Sequence, residues 1–271
     1  MEQLLKAILE ILKALFGKKE NTMSGASNEV VPPQIESGET TDENNAQDSG
    51  GTEQEGAMTE FVSPVKILID NGHGNDTAGK RSPYSAYKTK PAIDFYEYKW
   101  NREIAVPLAE RLRALGYDAE LIVPEENDIS LKERVERVNK YCREIGTFNV
   151  IFISVHANAA GNGKEWYSAR GWSAYTTPGN TKSDAFAECL YDAAEKNFVG
   201  QKIRTDKSDG DRDWEANFYV LKNTFCAAVL TENFFYDNVD DVKYILSEEG
   251  REAVIKTHVE GIVNYIKTLP K

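Results

Sequence analysis

The stretch Asn149-Val-Ile-Phe-Ile-Ser-Val-His-Ala-Asn-Ala159 constrains this chain most. Val150 to Val155 is a near-continuous apolar, β-branched run, the pattern of a strand covered on both faces in a parallel sheet. The run stops abruptly at His156 and Asn158, followed by small residues and Gly161. A polar tip on a buried strand lies at the sheet edge, where open α/β folds place their ligands. Two further runs end the same way. Val65-Lys-Ile-Leu-Ile-Asp70 passes into Asn71-Gly72-His73-Gly74, and Cys226-Ala-Ala-Val-Leu-Thr231 passes into Glu232. If the three strands are parallel, His73, His156 and Glu232 meet on one rim.

The rest of the chain supplies the helices such a sheet needs. After a long polar and aromatic loop over 71–96, a helix is expected from Glu97 to Leu115, stopped by Gly116, with Pro107 inside it as a source of a kink. A short strand follows at Ala119–Val123. Ser130-x-x-Glu133 reads as a capping box opening a helix that ends at Gly146. Residues 171–177 read as a strand, Ser183–Phe198 as a helix, and Phe218–Leu221 as a short strand. The segment 239–269 reads as helix, broken near Ser247–Gly250. Strands alternating with helices predict an α/β fold with a mixed, largely parallel central sheet and helices on both faces.

Three regions differ in composition. Residues 1–17 have Leu4, Leu5, Ile8, Ile11, Leu12, Leu15 and Phe16 at helical spacing, an amphipathic helix that must bury its apolar stripe. Self-association or packing on the domain would bury it, as would a membrane surface or a membrane or protein partner, and its mixed Glu and Lys polar face favours the first pair. Residues 18–60 read as an acidic disordered linker, with ten acids and no Lys or Arg from Glu20 to Glu60. Of the net charge of −12, the region 61–271 carries only −4, so this catalytic-domain candidate offers no nucleic-acid surface. Cys142, Cys189 and Cys226 are widely spaced and read as reduced thiols. No run spans a bilayer, and the start of the chain lacks the pattern of a secretory signal peptide. Synthesis and folding in a cytosol are expected.

Chemistry concentrates on the rim. The sequence holds three histidines, and two follow strands at the same edge beside glycine or small residues. Neutral imidazole is the commonest zinc ligand, and a catalytic zinc needs three protein ligands and an open position. A carboxylate from the same rim is the expected third: Glu97 at a helix start, with Asp94 and Glu103 as competitors. Glu232 is placed to act as a general base. His258 lies in an apolar helical pattern and reads as structural.

Ile69-Asp-Asn-Gly-His-Gly74, Glu97, Ser154-Val-His-Ala-Asn-Ala159 and Leu230-Thr-Glu-Asn-Phe234 occur in that order. This set resembles the zinc-dependent N-acetylmuramoyl-L-alanine amidases of the amidase-3 type over about residues 64–268. Such enzymes cut the amide between the lactyl group of N-acetylmuramic acid and L-alanine in peptidoglycan. The resemblance implies Zn2+ held by His73, Glu97 and His156, with Glu232 catalytic. The tyrosine-rich loop and Ala169-Arg-Gly-Trp-Ser-Ala-Tyr-Thr-Thr-Pro-Gly179 look most like amidases of phages and prophages of the Bacteroides group. That implies an endolysin made in the host cytoplasm and acting on peptidoglycan in the periplasm or cell wall. Tyr84, Tyr87, Trp166, Trp172 and Trp214 are candidate sugar platforms. Two alternatives stay open: a zinc peptidase cutting within stem peptides, and a non-catalytic wall-binding or lysis-regulating protein.

Overall fold

The computed structural model describes residues 64–270. The expected amphipathic helix over 1–17 and linker over 18–60 lie outside the described residues.

A six-stranded sheet forms the centre, in the order β2-β1-β3-β6-β4-β5. Its strands are β1 (Lys66–Asp70), β2 (Asp118–Leu121), β3 (Val150–Asn158), β4 (Ser173–Thr176), β5 (Trp214–Glu215) and β6 (Ala227–Phe235). β2, β1, β3 and β6 run parallel, whereas β4 pairs antiparallel with β6. The three strands whose polar tips stand out in the sequence are therefore neighbours, in register from Lys66 with Val150 and from Ile151 with Ala227.

Side-chain alternation sorts these strands between two cores. Ile67, Ile69, Ile151, Ile153, Val155, Ala227 and Val229 pack on one face. That face is covered by α2 (Glu97–Ala114), α4 (Lys182–Asn197) and α7 (Glu248–Thr268). Leu68, Val150, Phe152, Ala228 and Leu230 pack on the other, beneath α3 (Leu131–Ile145) and the short α5 (Tyr219–Lys222). By the same alternation Asp70, Ser154, His156 and Glu232 fall on this second face, in a row at the carboxyl ends of the strands.

The helices start and stop for local reasons. Ser130 caps α3 through Glu133 N at 3.1 Å, but the capping box is half made: the Glu133 carboxylate pairs with Arg137 at 3.1 Å instead. Thr181 and Asp184 make both halves of a capping box on α4. Ser247 separates α6 (Val239–Leu246) from α7 and caps the latter through Gly250 N, so the break expected near 247–250 is real. α2 runs through Pro107 without ending. Glu103, one turn earlier, whose carbonyl loses its donor, lies on the exposed side.

Three local expectations need correction. Residues 218–221 are not a strand but lead into the helical turn α5, whose carbonyls accept from Asn223 Nδ2 and Thr224 Oγ1. A short apolar run carries no periodicity to separate the two. The loop over 71–96 contains a short helix, α1 (Pro83–Tyr87), capped by Ser82. β6 does not end at Glu232 but continues to Phe235, through a register shift opposite His156–Asn158 and a left-handed Phe234 with φ of +67°. This bulge lies directly beside the rim, a common place for one.

One buried ion pair ties the second face together. Arg134 and Asp70 are 2% and 1% exposed and in direct contact. Asp70 also accepts from Ser154 Oγ at 2.6 Å, and Arg134 reaches Asp128 at 2.8 Å. Removing one partner strands the other charge out of water. Arg134→Met is expected to cost roughly 3–5 kcal/mol in urea unfolding. Adding Asp70→Asn should recover part of that loss, and a double variant no better than the single one would contradict the pairing.

Candidate metal centre

His73, Glu97 and His156 come together at the carboxyl edge of the sheet, with ligand atoms all within 4.8 Å of one another. Each arrives by a different route. His156 stands near the end of β3, paired in register with Glu232 on β6. Glu97 is the first residue of α2, where a carboxylate also favours the positive end of the helix. Its N–H donates to Lys80 O at 2.9 Å, which fastens the helix start to the loop after β1. His73 sits in that loop with φ of +65°, a left-handed conformation uncommon for a side-chain-bearing residue. Asn101 Nδ2 donates to Gly72 O at 3.1 Å, and Arg102 Nη1 donates to His73 O at 3.1 Å, so α2 holds both the loop and the carboxylate.

The glycines beside His73 are required by contact. A Cβ on Gly72 would lie 2.2 Å from His156 Cε1, and one on Gly74 would lie 2.0 Å from Asp128 N. The backbone before His73 thus lies directly on the second imidazole. The two rings meet edge to face with centroids 4.8 Å apart.

Glu97 Oε1 accepts from Ala157 N at 3.2 Å and lies 3.0 Å from His156 Nδ1 and 3.4 Å from His73 Nε2. Burial would push this carboxyl up, but hydrogen bonds and charge from His156 and His73 win and hold it well below the usual range. Burial lowers His73 despite the opposing pull of Glu97, whereas Glu97 raises His156 against the effect of burial. Burial, with Glu97 nearby, pushes Glu232 up to about 7, although His156 opposes this.

The buried atoms without a hydrogen-bond partner include His73 Nε2, Glu97 Oε2 and Glu232 Oε2. Buried polar atoms are rarely left so. Two imidazoles and one carboxylate form an open three-ligand donor set, and the orphaned atoms fit a cation at this point. Asp94 and Glu103 are excluded by position: Asp94 accepts from Ser85 Oγ at 2.8 Å, and Glu103 is exposed beside Lys99 and Arg251. His258 is fully buried elsewhere, with Nδ1 against Val254 O at 2.7 Å and Nε2 against Thr231 Oγ1 at 2.9 Å.

A family of sequences described as N-acetylmuramoyl-L-alanine amidase, Amidase_3, matches residues 67–264. The chain belongs to this family. Among individual relatives, this amidase-family chain is 27% identical over 201 residues to the N-acetylmuramoyl-L-alanine amidase CwlM of Bacillus licheniformis, covering 73% of this chain and 67% of that one. It is also 27% identical over 212 residues to the endolysin of Bacillus phage SPP1, covering 76% and 67%. In fold it resembles the N-acetylmuramoyl-L-alanine amidase of Clostridium difficile 630, with a TM-score of 0.64 at 23% identity over 77% of this chain and all of that one.

A cavity of about 210 Å³ opens beside His73, His156 and Glu232, walled by Leu131, Phe218, Tyr219 and Val220. None of the five aromatic residues expected as sugar platforms lines it. Trp172 is fully buried and donates to Asn233 Oδ1 at 2.9 Å, and Trp166 packs on the core and donates to Thr89 O. Trp214 packs beside Arg204 and Tyr175, Tyr84 lies under Lys88, and Tyr87 is exposed on α1. Phe218 and Tyr219 were missed because the run containing them reads as a buried strand.

The close approach at Gly72 carries a direct test. If the three donors hold a divalent cation, Gly72→Ala should weaken its binding about tenfold or more in competition with a chelator, while the folded content by circular dichroism is kept. Unchanged affinity would mean that the loop moves aside without disturbing His156.

Proposed function

We propose that the protein hydrolyses the amide between the lactyl group of N-acetylmuramic acid and L-alanine in peptidoglycan, with Zn2+ held by His73, Glu97 and His156. The observation that carries this reading is the convergence of these three donors with Glu232 alongside, in a chain of the amidase family. Bound at that point, zinc would supply Lewis acidity, polarising the scissile carbonyl and making water acidic near neutral pH.

The residues of the chain supply the proton handling and the orientation. Glu232 takes a proton from the attacking water and returns it to the departing alanine nitrogen as the carbon–nitrogen bond breaks. A carboxyl pushed to about 7 suits both halves of that task. Asn233 Nδ2 donates to His156 O at 2.8 Å and Asn233 Oδ1 accepts from Trp172, which anchors the β6 bulge to the strand bearing His156. Likeness to a phage endolysin supports a role in wall lysis.

Digestion of purified sacculi tests the reaction. Wild type should release peptides beginning with L-alanine and sugar strands with free lactyl groups, and a chelator should stop it. Glu232→Gln should lower kcat roughly 10²–10⁴-fold with zinc retained. Products that keep the lactyl–alanine bond would turn the reading to a peptidase.

The base works ionised, so activity is lost as Glu232 gains its proton. The acidic limb of kcat/KM should have its midpoint at or below about 7, because a bound dication can only lower this carboxyl further. A limb well above 7 would assign the base to another group.

A further inference from the structure

We propose that Lys80 is a substrate-binding residue that takes a carboxylate of the departing stem peptide, and so selects peptidoglycan whose second stem residue is acidic. The proposal rests on the amidase reading above and adds a recognition site to it.

Lys80 stands where two clefts join. One is the 210 Å³ cavity beside the histidines, and the other is a cleft of about 290 Å³ along Ala78–Lys80 and Ala157–Gly163. Lys80 and Glu232 are the two residues that line both. The base and this lysine therefore border both clefts.

The backbone of Lys80 is held while its side chain is free. Lys80 O accepts from Glu97 N at 2.9 Å, and Arg81 bridges to Tyr96. The lysine is therefore fixed one hydrogen bond from the start of α2. Its side chain is exposed and makes no ion pair or hydrogen bond, although its charge reaches both His73 and Glu232. Of the other cations near the base, Arg204 lies over the rings of Trp214 and Phe235, while the guanidinium of Arg81, half-buried behind Lys80, lines neither cleft. Arg134 is paired with Asp70 and Asp128, and Arg102 serves the carbonyls of Asn71, His73, Tyr98 and Glu125. The Asp128 carboxylate is occupied by Arg134 and Thr77. An exposed, unpaired ammonium group that borders both clefts fits an anionic group carried by the substrate.

The two clefts differ in what they suit. Leu131 and Tyr219, 53% and 43% exposed, present apolar and aromatic surface on the first, suited to a sugar ring. The second is walled largely by Ala157, Ala159, Gly161 and Gly163, which leave room for an extended peptide. In the stem, L-alanine is followed by a glutamate whose α-carboxylate is either free or amidated. This is the first charge difference beyond the cut, about two residue lengths or roughly 7 Å away. A flexible lysine stem at the junction can meet it.

The test uses the full chain and two matched stem tripeptides, one with the free α-carboxylate and one with its amide. Binding is measured by calorimetry on wild type, Lys80→Met and Lys80→Arg. Steady-state cleavage of the corresponding muramoyl peptides is measured in parallel. Wild type should bind the acid about tenfold tighter than the amide, and the same ratio should appear in KM. The ratio should fall toward one in Lys80→Met, remain in Lys80→Arg and shrink with added salt. Equal binding of acid and amide by wild type would overturn the proposal. So would an equal loss on both ligands in Lys80→Met, which would make Lys80 a partner of Glu232 and not of the substrate. Charge-selective binding without cleavage of either muramoyl peptide would leave the binding role standing and reject the amidase reading.

Discussion

A carboxylate can be buried in a protein only if something compensates its charge. Glu97 is 1% exposed, and much of the site is arranged to meet that demand. One oxygen is held by Ala157 N and the imidazole of His156, with His73 close by. The other has no partner. The helix that begins at Glu97 also clamps the loop that carries His73, through Asn101 and Arg102. Carboxylate, loop and helix are therefore tied together by direct hydrogen bonds.

The sheet supplies the second constraint. Strict alternation along β1, β3 and β6 divides each strand between two cores, and the same alternation puts Asp70, Ser154, His156 and Glu232 on one face. Within this row Asp70 spends its charge on Arg134 and Ser154 and serves structure. His156 and Glu232, one step nearer solvent, remain available for chemistry. Neighbouring polar residues on one edge thus divide into scaffold and site according to the partners that reach them.

Strain gathers at the same place. His73 and Phe234 both hold left-handed backbone; the first is one of the three candidate donors, and the second lies two residues beyond Glu232. Phe234 is fully buried between Phe198 and Tyr244, so packing secures a conformation that its own backbone disfavours. His73 is secured by hydrogen bonds to its loop instead. Such outliers persist where surrounding contacts over-determine them, and here those contacts also aim the side chains of the rim.

Much of this was legible in the chain itself. The apolar runs at 65–70, 150–155 and 226–231 specify buried parallel strands, because only a strand covered on both faces needs such continuity. Their polar endings locate the rim, and Gly72 and Gly74 announce the close approach that their contacts bear out. The sequence left Glu97 in competition with Asp94 and Glu103, since helical register alone cannot say which carboxylate faces the histidines. Packing buries Glu97 beside both imidazoles and leaves the other two at the surface. Long-range partners were likewise invisible: Arg134 with Asp70, Asn233 with His156 O and Trp172, and the cavity wall formed by Phe218 and Tyr219. Periodicity reports which face of an element is covered, and it carries no information about which distant side chain does the covering. That choice exists only once the chain has closed on itself.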